Sequence, residues 1–170
     1  MDSEQFWSLV TIDNNVSNKS DELKKRLSVL SLDDLKDFDT QMSKTLKKLW
    51  HWDLWAAAYV MCGCNSEYDF LDFCNWLITQ GQNVTESVVE SPDSLSLIVN
   101  VPVKNDLPYP FCDELDLLAG LLYEEKSNEE LEYTSVVSFQ PNGKKFKTKA
   151  KNLKDHYPNL FKKYWQPRVC

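Results

Sequence analysis

The side chains with the most chemical potential in this chain are its carboxylates, and they come in groups: Glu67, Asp69 and Asp72; Asp113, Glu114 and Asp116; Glu124 and Glu125; Glu129 and Glu130. General acid–base work needs one carboxyl displaced in pKa by burial or a neighbour, which density alone does not supply. His51 and His156 stand apart from any serine or cysteine nucleophile motif, and the four glycines build no P-loop, G-x-G-x-x-G turn or nucleophile elbow. Cys62-Gly63-Cys64 could share zinc with His51 or His156, but no second closely spaced pair completes four ligands. The expectation is no catalytic residue, no metal and no cofactor. The competing reading is an enzyme or small-molecule-binding domain with a polar pocket near Asp53 and His51, and Trp52, Trp55 and Trp76 could line a ligand pocket. Simpler roles account for each of these: His51 packs or caps at a helix junction, Asp53 favours the positive end of a helix, and the tryptophans fill core.

The charges are also sorted along the chain. Residues 51–134 carry sixteen acidic and two basic side chains, about −14, whereas residues 135–170 carry nine basic and one acidic, about +8, within a net charge of −7. Lys144, Lys145, Lys147, Lys149, Lys151, Lys154, Lys162 and Lys163 make the basic run. Lysines can neutralise phosphates, but the acidic middle repels a polyanion unless it lies well beyond a Debye length of about 8 Å, so nucleic acid is not the expected partner. Three readings of the acids remain: pairing with the lysine run, conferring solubility, or attracting a basic protein. Small acidic domains without catalytic motifs often serve as immunity proteins, whose carboxylates steer a cationic toxin and cover its active site. The expectation is accordingly a non-enzymatic, stoichiometric inhibitor of a cognate basic toxin. Its contact surface would comprise Glu67, Tyr68, Asp69, Asp72, Asp113, Glu114, Asp116, Glu124, Glu125, Glu129 and Glu130, with Tyr68, Tyr109 and Tyr123 as aromatic anchors.

Helical periodicity supplies the scaffold. Phe6, Leu9 and Val10 predict a short first helix begun by Asp2 or Ser3, and Leu23, Leu27 and Leu30 a second after Ser20. Ser31 and Asp34 resemble a capping box ahead of the stripe Leu35, Phe38, Met42, Leu46 and Leu49. Residues 52–61 are apolar nearly all round, which for a helix means burial on most sides. Ser66 caps a helix whose buried face is Phe70, Phe73, Cys74, Leu77 and Ile78 and which stops near Gly81. Asn83 with Glu86, then Ser91-Pro92, predict two short helices. After an irregular stretch 101–110, Phe111, Leu115, Leu118, Ala119 and Leu122 predict a further helix, and residues 127–130 start one more turn or two. Val136 to Phe139, the Asn142-Gly143 pair and the Lys-rich stretch around Phe146 read as a small β-hairpin near 135–148. Leu153, Tyr157, Leu160, Phe161, Tyr164 and Trp165 close the chain as an aromatic helix broken or begun at Pro158. The whole, 1–170, is expected to be one mainly α domain. Cys62, Cys64, Cys74, Cys112 and Cys170, odd in number and mostly inside apolar segments, are expected as reduced thiols. With no basic segment leading an apolar one at the start and no run of about 20 apolar residues, the expected location is the cytoplasm.

Several of these segments together resemble a known family. Trp52-Asp53-Leu54-Trp55-Ala56-Ala57-Ala58-Tyr59-Val60, then Asp69-Phe70-Leu71-Asp72-Phe73-Cys74-Asn75-Trp76-Leu77-Ile78-Thr79-Gln80-Gly81, then Ser91-Pro92-Asp93-Ser94-Leu95, are similar to the uncharacterised, mainly bacterial family catalogued as domain of unknown function 4240. Phe6-Trp7 and Tyr157-Pro158-Asn159-Leu160-Phe161 resemble that family's ends. The resemblance implies a compact, predominantly helical domain with no established activity. The sequence departs from the family pattern at Cys62 to Asn65, where glycine is more usual, at Asn75, where arginine is common, and in the basic stretch 135–151.

Overall fold

A computed structural model describes residues 1–166, and Cys170 lies outside them. The helical expectation holds. Among the described residues there are nine α-helices: α1 (Ser3–Val10), α2 (Lys19–Leu27), α3 (Leu32–Leu49), α4 (Trp52–Cys62), α5 (Glu67–Ile78), α6 (Gln82–Glu90), α7 (Leu118–Ser127), α8 (Ala150–His156) and α9 (Pro158–Tyr164). Short 3₁₀ turns at Pro92–Leu97, Leu115–Leu117 and Val136–Ser138 punctuate them. No helix among the described residues is long and apolar enough to cross a membrane.

Side-chain oxygens start the early helices, satisfying N–H groups that have no partner within the helix. Asp2 and Gln5 form a full capping box on α1. Asn18, two residues before Ser20, accepts from Asp21 N to open α2. Ser31 Oγ accepts from Asp34 N and donates to Asp34 Oδ2, and Ser66 Oγ accepts from Asp69 N at 3.1 Å. The predicted stripe of α3, Leu35 through Leu49, is buried throughout, and so are Phe70, Phe73, Cys74, Leu77 and Ile78 of α5. Helix α4 buries seven of its eleven residues, as an apolar circumference requires.

Aromatic rings tie α4 to α5. Phe70 stacks on Trp50 (ring centroids 4.8 Å apart) and on Trp55 (5.0 Å), with Trp52 stacked in turn on Trp55 at 5.0 Å. Phe73 and Trp76 continue the column at 6.3 and 5.9 Å. The polar handles of the tryptophans are satisfied locally: Trp50 Nε1 donates to the Phe139 carbonyl, Trp55 Nε1 to the Cys64 carbonyl and Trp76 Nε1 to Asn14 Oδ1. Around this column α7 packs on α2 and α3, while α9 packs on α4 and the Pro92–Leu97 turn. Asp93 in that turn takes the amides of Asn159 and Leu160, fixing the first turn of α9.

Four local expectations are corrected. Helix α6 begins at Gln82, before Asn83, because Gly81 (φ +95°) turns the chain sharply out of α5; the N-cap makes no side-chain bond, and Glu86 accepts from Gln82 rather than closing a box with Asn83. The segment 111–122 is not one helix: Glu114 adopts φ +57°, a 3₁₀ turn follows, and α7 starts only at Leu118. Nor does 127–130 start a new turn, since Asn128 at φ +57° ends α7. The β-hairpin lies elsewhere. Val103–Lys104 (β1) pairs antiparallel with Leu107–Pro108 (β2) through Asn105 and Asp106, both at positive φ, which these residue types tolerate better than most.

In the stretch read as a hairpin, 135–148, a 3₁₀ turn replaces the first strand. Asn142 instead donates to the Trp50 carbonyl and accepts from Trp52 N, both at 2.9 Å. Gly143 (φ +85°) permits this docking, for an added Cβ would stand 2.5 Å from His51 Cε1. The residue pair that signals a turn is used to let the chain approach a ring.

The column predicts a graded response to truncation. Phe70→Ala should lower unfolding free energy in denaturant titrations by about 3–5 kcal/mol, while Tyr68→Ala, at a side chain 70% exposed, should stay within about 0.5 kcal/mol.

Candidate functional site

Most of the predicted acids reach solvent together. The first turn of α5 presents Glu67, Tyr68 and Asp69, all exposed, and the helix dipole there favours carboxylates. One turn on, the Asp72 carbonyl accepts from Cys112 N at 3.0 Å, which brings the 112–114 corner beside α5. Asp113 and Glu114 are exposed at that corner, and Ser20 Oγ of α2 donates to the Asp113 carbonyl at 2.9 Å. A cleft bordered by α2 and residues 109–114 includes Leu118 and Leu121; a shallower depression shares Leu121 and runs on to Glu124 and Glu125. Leu121 thus links Asp113 and Glu114 in the cleft to Glu124 and Glu125 along an acidic face. Glu129 and Glu130 follow just past the Asn128 cap, both exposed.

Asp72 is half-buried, and burial first, then Asp113, Asp116 and Asp69, push its carboxyl up to about 7. Desolvation penalises the charged form, and neighbouring carboxylates add repulsion in the same direction. Its titration therefore falls near neutrality, in the middle of an otherwise acidic face.

Two expected contact residues are not on the surface. Asp116 is 5% exposed: its Oδ1 accepts from Asn75 Nδ2 at 2.9 Å and its Oδ2 from the Tyr133 hydroxyl. The break at Glu114 rotates the following turn so that Asp116 points inward, toward α5 and toward Asp39 of α3, whose carboxyl is raised by burial and by Asp116. Asn75 also donates to the Cys112 carbonyl, and its buried Oδ1 has no partner among the described residues. Tyr123 is 4% exposed and capped by the Lys36 ammonium 5.0 Å from its ring centre, so it cannot anchor a partner. Tyr68 and Tyr109 remain open at 70% and 41%.

The lysine run forms no ion pair with this face among the described residues. Among the described residues the ion pairs join the N-terminus to Asp37 and Arg26 to Glu22, and none involves residues 144–163. Lys163 instead donates to the Ser96 carbonyl, and Lys145 lies 5.5 Å over Trp52.

The competing pocket near Asp53 and His51 is a depression of about 140 Å³, well below the usual size of ligand sites, roughly 300–1,000 Å³. His51 Nδ1 accepts from Asp53 N as the N-cap of α4, and Tyr157 Oη donates to the Asp53 carbonyl at 3.0 Å. Both residues are committed to holding the α4 junction. Trp52, Trp55 and Trp76 belong to the aromatic column. Among the described residues no cluster of His, Cys, Asp or Glu could hold a metal ion, and burial raises the thiols of Cys64, Cys74 and Cys112 away from reactivity.

No local pattern in the sequence marks the cleft itself. Its outer wall comes from Tyr109 and Phe111, at the end of the irregular stretch, and ring packing between them (5.1 Å, edge to face) shapes it. A second cleft of about 600 Å³ under residues 97–100 is lined by apolar side chains and by the amides of Asn14 and Gln80, which bond each other.

Comparison with known proteins gives one match. The family model described as "Protein of unknown function (DUF4240)" covers residues 1–125, which takes in α1 to α6 and most of α7 but not Tyr157 to Phe161. No curated protein matches the chain. No solved structure matches it either.

The raised Asp72 carboxyl has a pH signature. Its folded value exceeds the unfolded one, so the native state binds more protons and stability falls as pH rises from about 4 to about 7. Asp72→Asn should unfold like the parent below about pH 4 and be more stable by about 1 kcal/mol at pH 8, a figure discounted for solvent screening; parallel urea titrations at the two pH values measure it.

Proposed function

The chain belongs to the DUF4240 family, and we propose that it acts as a non-catalytic protein-binding module, an immunity-type inhibitor that captures a basic protein on its acidic face. One observation carries this reading: the carboxylates of Glu67, Asp69, Asp113, Glu114, Glu124, Glu125, Glu129 and Glu130 stand in solvent with no ion-pair partner among the described residues. Like charges held on one face repel one another and do not help the fold. A cationic partner would remove that repulsion on binding, and the field would speed encounter by about 10–10³ over a neutral surface. Tyr68 at the start of α5, Tyr109 beside the cleft and Leu121, 53% exposed between the two acidic stretches, supply the apolar contact that charge alone does not.

Co-expression with the basic product of a neighbouring reading frame should yield a stoichiometric complex. Combining Glu67→Lys, Glu114→Lys, Glu124→Lys and Glu125→Lys should slow its association by about 10-fold or more, with a weaker dependence on salt in stopped-flow or surface-binding kinetics. Association that ignores both the reversals and the salt would remove the proposal.

A further inference from the structure

The cleft between α2 and residues 109–114, about 650 Å³, has Tyr109 and Phe111 on one side and Asp21, Asp113 and Glu114 as its exposed carboxylates. The face of Tyr109 already attracts a positive charge: Lys104, on β1, holds its ammonium 4.8 Å from the ring centre. Ring quadrupoles bind cations in this way, and more strongly when water is excluded. The hairpin keeps the pair in register, with the Tyr109 amide donating to the Pro102 carbonyl. Behind the wall, the fully buried Asn75 bonds the Cys112 carbonyl and Asp116 and so holds the 112–114 corner in place. Of the lysines that line the cleft, Lys19 is turned away, its ammonium bound to the carbonyls of Ile12 and Asp13, and Lys24 is exposed on α2.

We infer that this cleft receives one arginine side chain of the basic partner, its guanidinium laid on Tyr109 in place of the Lys104 ammonium and its N–H groups shared between Asp113 and Glu114. The inference rests on the acidic-face reading and names the anchor within it. Arginine fits better than lysine because a planar guanidinium stacks on a ring while offering parallel donors to carboxylates, and it sheds water more readily than an ammonium. Lys104 acts as an internal competitor that fills the ring face when no partner is bound.

The probe is Nα-acetyl-arginine methylamide, with the norleucine analogue as the uncharged control, titrated into the whole protein and read by the aromatic ¹H–¹³C resonances of Tyr109 and Phe111. The arginine probe should shift both saturably, in the millimolar range, and the norleucine analogue should not. Lys104→Ala should tighten probe binding by about threefold, because an exposed cation–π competitor is removed. Tyr109→Phe should bind as the parent does, and Tyr109→Leu should weaken binding at least about fivefold. No saturable shift, an equal response to norleucine, or indifference to Lys104→Ala would overturn the site. Tyr109→Leu that still forms the complex with the basic protein at parental affinity would overturn the anchor while leaving the acidic face standing. Failure of the charge reversals would instead remove the face, whatever the arginine probe does.

Discussion

The stacking of Phe70 on both Trp50 and Trp55 is the contact on which the other elements depend. It fixes where α5 lies against the junction of α3 and α4, and an aromatic ring there buries more apolar surface than an aliphatic side chain could. Extension of the column through Trp52 reaches Phe146 in the basic stretch; extension through Phe73 and Trp76 reaches Asn14 and the loop after α1. Segments from early and late in the chain are thereby anchored on the same two helices. With α5 held in this orientation, its first turn faces outward, and that turn carries Glu67, Tyr68 and Asp69.

A buried polar joint completes the positioning. Asp116 is costly to bury, and donors from Asn75 and Tyr133 offset that cost. The same Asn75 grips the Cys112 carbonyl, and Cys112 N grips the Asp72 carbonyl, so three contacts hold the 112–116 corner to α5. The corner in turn orients Asp113 and Glu114 beside Asp72 and sets the mouth of the cleft. One carboxylate is given to the interior so that its neighbours can be displayed. This division of labour within the run Asp113-Glu114-Leu115-Asp116 follows from the positive φ at Glu114, which turns the residues after it toward the core.

Side-chain periodicity makes the core legible. The stripes of α3 and α5 read directly as buried faces, because a helix repeats every 3.6 residues and these segments keep that period unbroken. Ser31, Ser66 and Pro158 likewise announce their helix starts, and Asp53 its place in the first turn of α4, since a cap is a local bond. Local pattern misleads where the backbone changes phase. Glu114 carries no mark of a left-handed residue, so the apolar spacing from Phe111 to Leu122 looks continuous and puts Asp116 on the wet side. Asn142-Gly143 is ambiguous for another reason: glycine can serve a hairpin or a close approach, and His51, distant in the chain, decides which.

By itself, then, the sequence determined a mainly helical protein, the identity of its buried stripes, its membership of a family of unknown function and the segregation of its charges. These depend on residue type and local spacing. Tertiary structure alone decided which acids reach the surface, that Asp116 and Tyr123 are withdrawn from it, that the described lysines of 144–163 form no ion pair, and that Tyr109 and Phe111 wall a cleft beside Asp113. Surface charges and loop aromatics contribute little to helix periodicity, so nothing local records their neighbours. Their juxtaposition is set by how α5 and α7 pack through the core, contacts between residues far apart in the chain.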